Sequence, residues 1–291
     1  MSDVRCVSDA RAVLGECALW DPDRHLVWWL DIRERRLHCH DVRSGGNRSQ
    51  PLERRLTALA LTTTADLVAC GDAGFVRLAV AKDFTVTQVA VLARPDEPPG
   101  NRFNDGKADA AGRFWAGTMD DSEGEPRGSL YRLDARGLSR VREGIAIPNG
   151  PCFLEDGTML ATDTAAGVIT AHDLDAGGNV LAMREFARFP TSAGHPDGMT
   201  VDAENHVWVA FWDGACLRRL DGDGRVVREI GLPVLRPTCP VFGGVQLDRL
   251  YVTSASIGLD AAARESQPWA GGLLSLDVGV RGRPPARFEV R

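Results

Sequence analysis

Apolar and polar positions alternate in short runs along this chain, and the runs return with a period. Six stretches are centred on an apolar anchor: Leu26-Val27-Trp28-Trp29-Leu30, Leu67-Val68-Ala69-Cys70, Arg113-Phe114-Trp115-Ala116-Gly117, Met159-Leu160-Ala161-Thr162, Val207-Trp208-Val209-Ala210 and Leu250-Tyr251-Val252-Thr253. Each follows a polar or acidic turn, at intervals of 40 to 48 residues. The runs are rich in Val, Leu, Trp and Thr and are cut by Gly, Asp and Asn, so they read as antiparallel strands with tight turns. A turn and a further strand follow each run, as in Ser129-Leu130-Tyr131-Arg132-Leu133 and Cys216-Leu217-Arg218-Arg219-Leu220. Turns such as Asp221-Gly222-Asp223-Gly224 then lead into outer strands such as Val226-Val227-Arg228-Glu229-Ile230. With the segment ahead of each anchor, every unit holds about four strands, which is the make-up of a propeller blade. The predicted fold is all-β: a six-bladed β-propeller with its site in the central channel, formed by residues 1–291 as a single domain. Either Val4-Arg5-Cys6-Val7 or Ala286-Arg287-Phe288-Glu289-Val290 could supply the outer strand of the last blade. The longest departure from the repeat, Ser256 to Ala270, is expected as a small helix or a lid.

The same period places polar residues in register. Ten residues ahead of the anchors stand Thr57, Asn104, Asn149, Asp197 and Pro240, and Glu16 stands eleven ahead of Val27. In a propeller, equivalent positions on the innermost strands face a shared axis. Glycine follows closely in Asn104-Asp105-Gly106, Asn149-Gly150 and Asp197-Gly198, which lets backbone and ligand approach one another. Glu16, Asn104, Asn149 and Asp197 make a set of hard oxygen donors with no His or Cys among them. Such a set suits Ca²⁺, Mg²⁺ or Mn²⁺ better than structural zinc, and two carboxylates balance one divalent ion.

Composition narrows the partner. A formal net charge of -6 and a charged fraction of 25% supply no basic footprint for nucleic acid or an anionic membrane. A small molecule is the expected ligand, with no obligate protein partner. The start Met1-Ser2-Asp3-Val4-Arg5-Cys6 lacks the pattern of a secretory leader, and no apolar run reaches the ~20 residues of a spanning helix. Seven scattered cysteines without a C-x-x-C pair suit reduced thiols, so a cytoplasmic location is expected.

Leu14-Gly15-Glu16-Cys17-Ala18-Leu19-Trp20, Asn101-Arg102-Phe103-Asn104-Asp105-Gly106-Lys107, Gly112-Arg113-Phe114-Trp115-Ala116-Gly117-Thr118-Met119, Asn149-Gly150 and Pro196-Asp197-Gly198-Met199 together resemble the gluconolactonase and regucalcin (senescence marker protein) family. The resemblance runs from about residue 12 to the end of the chain and continues in Cys239-Pro240-Val241-Phe242-Gly243-Gly244. It implies a six-bladed propeller that opens a sugar lactone to the aldonic acid with one divalent metal ion. Its ligand motifs match at Glu16, Asn149 and Asp197. By the same resemblance Arg102 and Asn104 contact the substrate, and Asp197 doubles as the catalytic acid/base group. Some relatives place a substrate-contacting Glu shortly after Gly-Thr-Met; here Met119 is followed by Asp120-Asp121-Ser122-Glu123, so that role falls to Asp120, to Asp121 or to neither. The donor type favours Ca²⁺, while Zn²⁺, Mn²⁺, Mg²⁺ and Fe²⁺ stay open. Two alternatives remain: a phosphotriesterase or arylesterase on the same scaffold, and a calcium-binding regulatory propeller without turnover.

Other signals weigh less. His38-Cys39-His40 sets two imidazoles on one strand face, but on a strand away from the expected axis. Asp221-Gly222-Asp223-Gly224 lacks the downstream Glu and flanking helices of a calcium-binding loop and reads as a hairpin turn. Cys17 and Cys152 lie near the site residues and read as small core side chains. His195, two residues before Asp197, is a candidate for the pocket mouth.

Overall fold

The computed structural model describes residues 3–290. Six antiparallel sheets follow one another along the chain. Blade one is Gly15–Asp21, Leu26–Asp31, Arg36–Asp41 and Asn47–Pro51; blade two is Leu56–Thr62, Leu67–Gly71, Gly74–Val80 and Val86–Ala93. Blade three is Asn101–Ala108, Phe114–Asp120, Gly128–Asp134 and Gly137–Ile145; blade four is Pro148–Phe153, Met159–Asp163, Val168–Leu174 and Val180–Arg188. Blade five is His195–Val201, Val207–Trp212, Cys216–Leu220 and Val226–Gly231. Blade six takes Pro237–Gly243, Arg249–Ser254 and Leu273–Leu276 from its own stretch, and its outer strand is the N-terminal Arg5–Ser8, antiparallel to Leu273–Leu276. The fold is therefore the all-β, six-bladed β-propeller class expected from the repeat. The C-terminal Arg287–Phe288 goes elsewhere: it adds a fifth, parallel strand to blade two, alongside Leu56–Thr62.

Two compact units carry these blades. Blades one, five and six belong to the unit made of Met1–Glu53 and Phe186–Pro284. Blades two, three and most of four belong to the unit made of Arg54–Glu185 and Pro285–Arg291. In each, the anchor strands are the most deeply buried, since a strand covered on both faces must be apolar at successive positions. In the first unit Trp208, Leu217, Phe242, Leu250, Val252 and Leu274 form one cluster, and Trp20, Trp29, Tyr251 and Leu273 another. In the second, Trp115, Leu130, Ile145 and Met159 pack together.

The acidic turn before the anchor has a structural task in alternate blades. Trp28, Trp115 and Trp208 each donate an indole N–H to a buried carboxylate that opens their own turn: Asp21 at 3.1 Å, Asp109 at 2.7 Å and Asp202 at 2.9 Å. The same carboxylates accept turn backbone N–H groups, from Asp23 and Arg24, Ala111 and Arg113, and Glu204 and His206. Each also binds an arginine: Arg24, Arg113 and Arg219 respectively. A short acidic side chain thus closes the turn and anchors the strand that follows.

Helix is scarce, as the missing 3.6-residue periodicity predicts. The stretch 256–270 holds the helix Ala261–Ser266, capped by Asp260, whose carboxylate accepts Ala263 N–H at 2.8 Å. Gln267 Oε1 accepts Leu235 N–H at 2.6 Å, and Arg236 donates to the Ile257 carbonyl, so this stretch is tied to the start of blade six. Among the described residues no helix is long and apolar enough to cross a membrane.

Candidate active site

Every blade breaks its ladder at the same place in its first strand. The pairing register shifts between Glu16 and Leu19, Leu56 and Ala58, Phe103 and Gly106, Asn149 and Cys152, Pro196 and Met199, and Pro237 and Pro240. A bulge of this kind re-aims the side chains within it. At or inside the six bulges stand Glu16, Thr57, Asn104, Asn149, Asp197 and Thr238. The sixth corrects the sequence register, which pointed to Pro240. Pro240 lies past the bulge, opposite Val252. In blade six four residues, Pro240 to Gly243, pair between the bulge and the turn where blade three pairs three, and the anchor Leu250 is the second residue of its strand, so counting ten back from it stops short of the bulge.

In the second unit the predicted residues form one hydrogen-bonded chain. Arg102, only 5% exposed, donates from Nη1 to Asn104 Oδ1 at 2.8 Å and to the Phe103 carbonyl at 3.0 Å. Asn104 then donates from Nδ2 to Asn149 Oδ1 at 3.1 Å and to the Pro148 carbonyl at 3.0 Å. Asn149 donates from Nδ2 to Thr164 Oγ1 at 2.8 Å. With both amides held at each end, their oxygen and nitrogen atoms are assigned by the network.

Behind this chain lies Asp105. Its Oδ1 accepts Gly106 N–H at 2.7 Å and its Oδ2 accepts Gly150 N–H at 2.8 Å, so one buried carboxylate ties the bulge of blade three to that of blade four. Burial pushes the Asp105 carboxyl up, against the pull of Lys107 and the two glycine N–H groups. Gly150 has φ of 81°, a conformation natural to glycine, which the Asn149-Gly150 pair supplies.

Asp120 ends the second strand of blade three and Asp121 follows it. Asp121 Oδ1 accepts Arg102 Nε at 2.6 Å, and its Oδ2 accepts Arg55 Nη1 at 2.8 Å. Burial works to raise the Asp121 carboxyl, but the hydrogen bonds from Arg55 and Arg102 outweigh it and hold it below the usual carboxylate range. Asp120 pairs with Arg127 at 2.9 Å and accepts Ser122 N–H at 3.2 Å. Of the two, Asp121 is the one joined to Arg102.

In the first unit Glu16 is partly buried and Asp197 is 3% exposed. Asp197 Oδ1 is buried and accepts no hydrogen bond among the described residues, although Asp197 has other interactions. Thr238, at the bulge of blade six, sits between their strands: its Oγ1 donates to the Gly15 carbonyl at 2.5 Å. On the other side, a Cβ at Gly198 would lie 2.8 Å from the Thr238 carbonyl oxygen and 3.0 Å from Cys239 Cα. Glycine after Asp197 is what lets the two strands close. His195 is opposite Trp212 on the neighbouring strand, and the Arg236 guanidinium lies 4.9 Å from the centre of the Trp212 ring while binding Asp213 at 2.6 Å.

The donor set fits a hard divalent cation in its chemistry: two carboxylates and an amide oxygen, all types that Ca²⁺ and its relatives accept. Among the described residues no three His, Cys, Asp or Glu side chains are grouped to hold a metal, and the predicted set has only two carboxylates. Asn149 is suited to its place, since its nitrogen is committed to Thr164 and its oxygen keeps a second lone pair beyond the one that Asn104 engages.

The minor candidates resolve into structure. His38 stacks on Trp29 with ring centres 4.1 Å apart, and burial pushes its imidazole down to about 4. His40 bonds Asn47 at 3.1 Å. Burial drives the Cys39 thiol up to about 11 and the Cys152 thiol up to about 12, the wrong direction for a nucleophile. Asp221 accepts Asp223 and Arg225 N–H groups as a turn closer.

Sequence reasoning missed Arg55, Asp105, Thr164 and Thr238. A signal for Arg55 was present: two residues ahead of the bulge residues Thr57, Asn104 and Thr238 stand Arg55, Arg102 and Arg236.

Residues 14–256 match the model of the SMP-30/Gluconolactonase/LRE-like region. The chain belongs to that family. It is 37% identical to a pentonolactonase of Haloferax volcanii, over 98% of each chain, and 33% identical to the regucalcin of Gallus gallus, again over 98% of each. Among solved structures it resembles a calcium-binding regucalcin from Agrobacterium tumefaciens, with a TM-score of 0.93 and 31% identity, covering 99% of this chain and 98% of that one. Glu16, Asn149 and Asp197 stand at the bulges of blades one, four and five.

Proposed function

We propose that this protein hydrolyses a sugar lactone to the open aldonic acid, with one divalent cation held by Glu16, Asn149 and Asp197. The observation that carries the proposal is membership of the lactonase family together with oxygen-bearing side chains at the bulges of those three blades. A bound cation would polarise the lactone carbonyl and make a water nucleophilic near neutral pH. Asp197 orients that water and takes its proton as the water oxygen bonds to the carbonyl carbon. The bond from that carbon to the ring oxygen then breaks, and the proton passes to the ring oxygen, which becomes a hydroxyl of the acid. Arg102 is a permanent cation suited to the hydroxyl-rich substrate or its developing oxyanion, and Asn104 orients both Arg102 and Asn149. After Met119 stand Asp120, which pairs with Arg127, and Asp121, which acts through Arg102; these two are the further candidates for contact with the substrate.

The likeness to a pentonolactonase supports a sugar lactone as substrate. All seven cysteines are free, which fits a reducing compartment such as the cytoplasm. The test is to strip metal with a chelator and follow acid release from gluconolactone, xylonolactone, arabinolactone and a phosphotriester while restoring single ions. Lactone turnover returning with Ca²⁺ or a related ion is expected. No metal-restored turnover on any lactone overturns the proposal, and faster release from the phosphotriester transfers it to that ester class. The likeness to calcium-binding regucalcin favours a second reading, calcium binding without turnover, which the same assay separates when paired with a calcium titration.

A further inference from the structure

Arg55 comes from blade two, outside every motif that marks the site, and yet it shares a carboxylate with Arg102. Asp121 divides its two oxygens between two guanidinium groups, Oδ1 to Arg102 Nε at 2.6 Å and Oδ2 to Arg55 Nη1 at 2.8 Å. Arg55 is itself held from behind. Its Nε donates to Asp72 Oδ1 at 3.0 Å and its backbone N–H to Asp72 Oδ2 at 3.3 Å, while Asp72 N–H returns to the Arg55 carbonyl at 3.0 Å. The side chain of Arg55 is 20% exposed and that of Arg102 is 3% exposed, against 32% for Asp121, so the guanidinium groups are the more covered partners. The chain of contacts runs from Asp72 through Arg55, Asp121, Arg102 and Asn104 to Asn149.

We infer that Arg55 is a positioning residue which, by occupying one oxygen of Asp121, keeps Arg102 turned toward the substrate. A carboxylate facing a single arginine prefers the two-pronged arrangement, with parallel N–H bonds to both oxygens. Arg55 blocks that arrangement. Without it Asp121 would take Arg102 as a bidentate partner, drawing the guanidinium away from Asn104 Oδ1 and the Phe103 carbonyl and spending its charge on the carboxylate. With it, two cations share one anion, Asp72 compensates Arg55, and the positive charge of Arg102 remains available to an oxygen-rich ligand.

The kinetic arm rests on the lactonase proposal, so a second readout is needed that does not. Arg102 is followed by the ¹⁵N NMR signal of its Nε–Hε group, assigned by its disappearance in Arg102→Lys, and compared among wild type, Arg55→Gln and Arg55→Lys. KM and kcat are measured on the best lactone substrate. Arg55→Gln is expected to shift the Arg102 signal and to raise KM about ten-fold with little change in kcat, the pattern of lost ground-state and transition-state binding alike. Arg55→Lys, which keeps a cation for Asp121, recovers most of the loss. An unmoved Arg102 signal in Arg55→Gln overturns the inference, whatever KM does, and so does a moved signal with KM unchanged. If the wild type opens no lactone, the lactonase proposal fails by itself and the Arg102 signal alone decides. Should Arg55→Gln fail to fold, Asp72→Asn, which loosens the anchor behind Arg55, takes its place with the same expected signal shift.

Discussion

Asn104 hands a hydrogen bond from Nδ2 to Oδ1 of Asn149 across 3.1 Å, joining the bulges of blades three and four. The contact fixes which end of each amide is an oxygen. Asn149 is held from its other side by Thr164 at 2.8 Å, and all of this is buried or nearly so. Thr164→Val should therefore leave the Asn149 nitrogen without its acceptor, at a cost of about 1–3 kcal/mol if the amide does not turn. If it does turn, the oxygen is lost to any cation. Calcium affinity measured by calorimetry should fall about 10–100-fold, the usual effect of losing a partner that orients a ligand. Unchanged affinity would remove Thr164 from that role.

Asp197→Asn is expected to abolish turnover while keeping the fold, because the amide neither accepts the water's proton nor balances a cation's charge. Circular dichroism should be unchanged. Added Ca²⁺ should raise the melting midpoint of the wild type, with stabilisation of about 2.7 kcal/mol at a hundredfold excess over Kd, and should move the variant much less. A near wild-type rate in the variant would exclude Asp197 from the mechanism.

Asp109 supports Trp115 at 2.7 Å, Arg113 at 2.5 Å and two backbone N–H groups of its turn. Asp109→Ala leaves a largely covered guanidinium and an indole N–H without their partner. A loss of about 3–5 kcal/mol is expected, read as a lower denaturant midpoint. A loss under about 1 kcal/mol would mean that the turn closes without its carboxylate.

His38 makes stability depend on acid. Burial against Trp29 lowers its pKa from 6.5 to about 4, with Asp31 opposing and Arg36 assisting. Between those values the unfolded chain binds the proton and the folded chain does not. Stability is therefore fully present above about pH 6.5 and is lost as pH falls toward about 4, by up to roughly 3 kcal/mol from this group. His40 and His172 shift in the same direction for the same first cause, burial. His38→Phe, which keeps the stack, should flatten part of the pH dependence of the unfolding midpoint; an unchanged slope between pH 6.5 and 4 would contradict the assignment.

Blade count was legible because each blade is local. Its strands, turns and acidic openers lie within one repeat, and the alternation of apolar anchors with Gly, Asp and Asn reports them directly. The bulge position was legible in the blades where bulge and anchor are about equally far apart along the chain, which is why Asn104, Asn149 and Asp197 fell into register. In blade six the bulge at Thr238 lies twelve residues ahead of Leu250, and counting ten back reached Pro240 instead.

By itself the sequence determined six four-stranded units, the polar residues at the bulges of five of them and the family whose motifs they carry. Tertiary structure alone decided which terminus completes blade six. Arg5–Ser8 and Arg287–Phe288 are both plausible strands, and only long-range pairing assigns the first to Leu273–Leu276 and the second to blade two. It also decided the partners of Arg102: Asp121 is 19 residues away and Arg55, through Asp121, a further 66. The physical reason is shared by both cases. Periodicity records contacts within a repeat, whereas a hydrogen bond between blades depends on distances in space that no local pattern of side chains encodes.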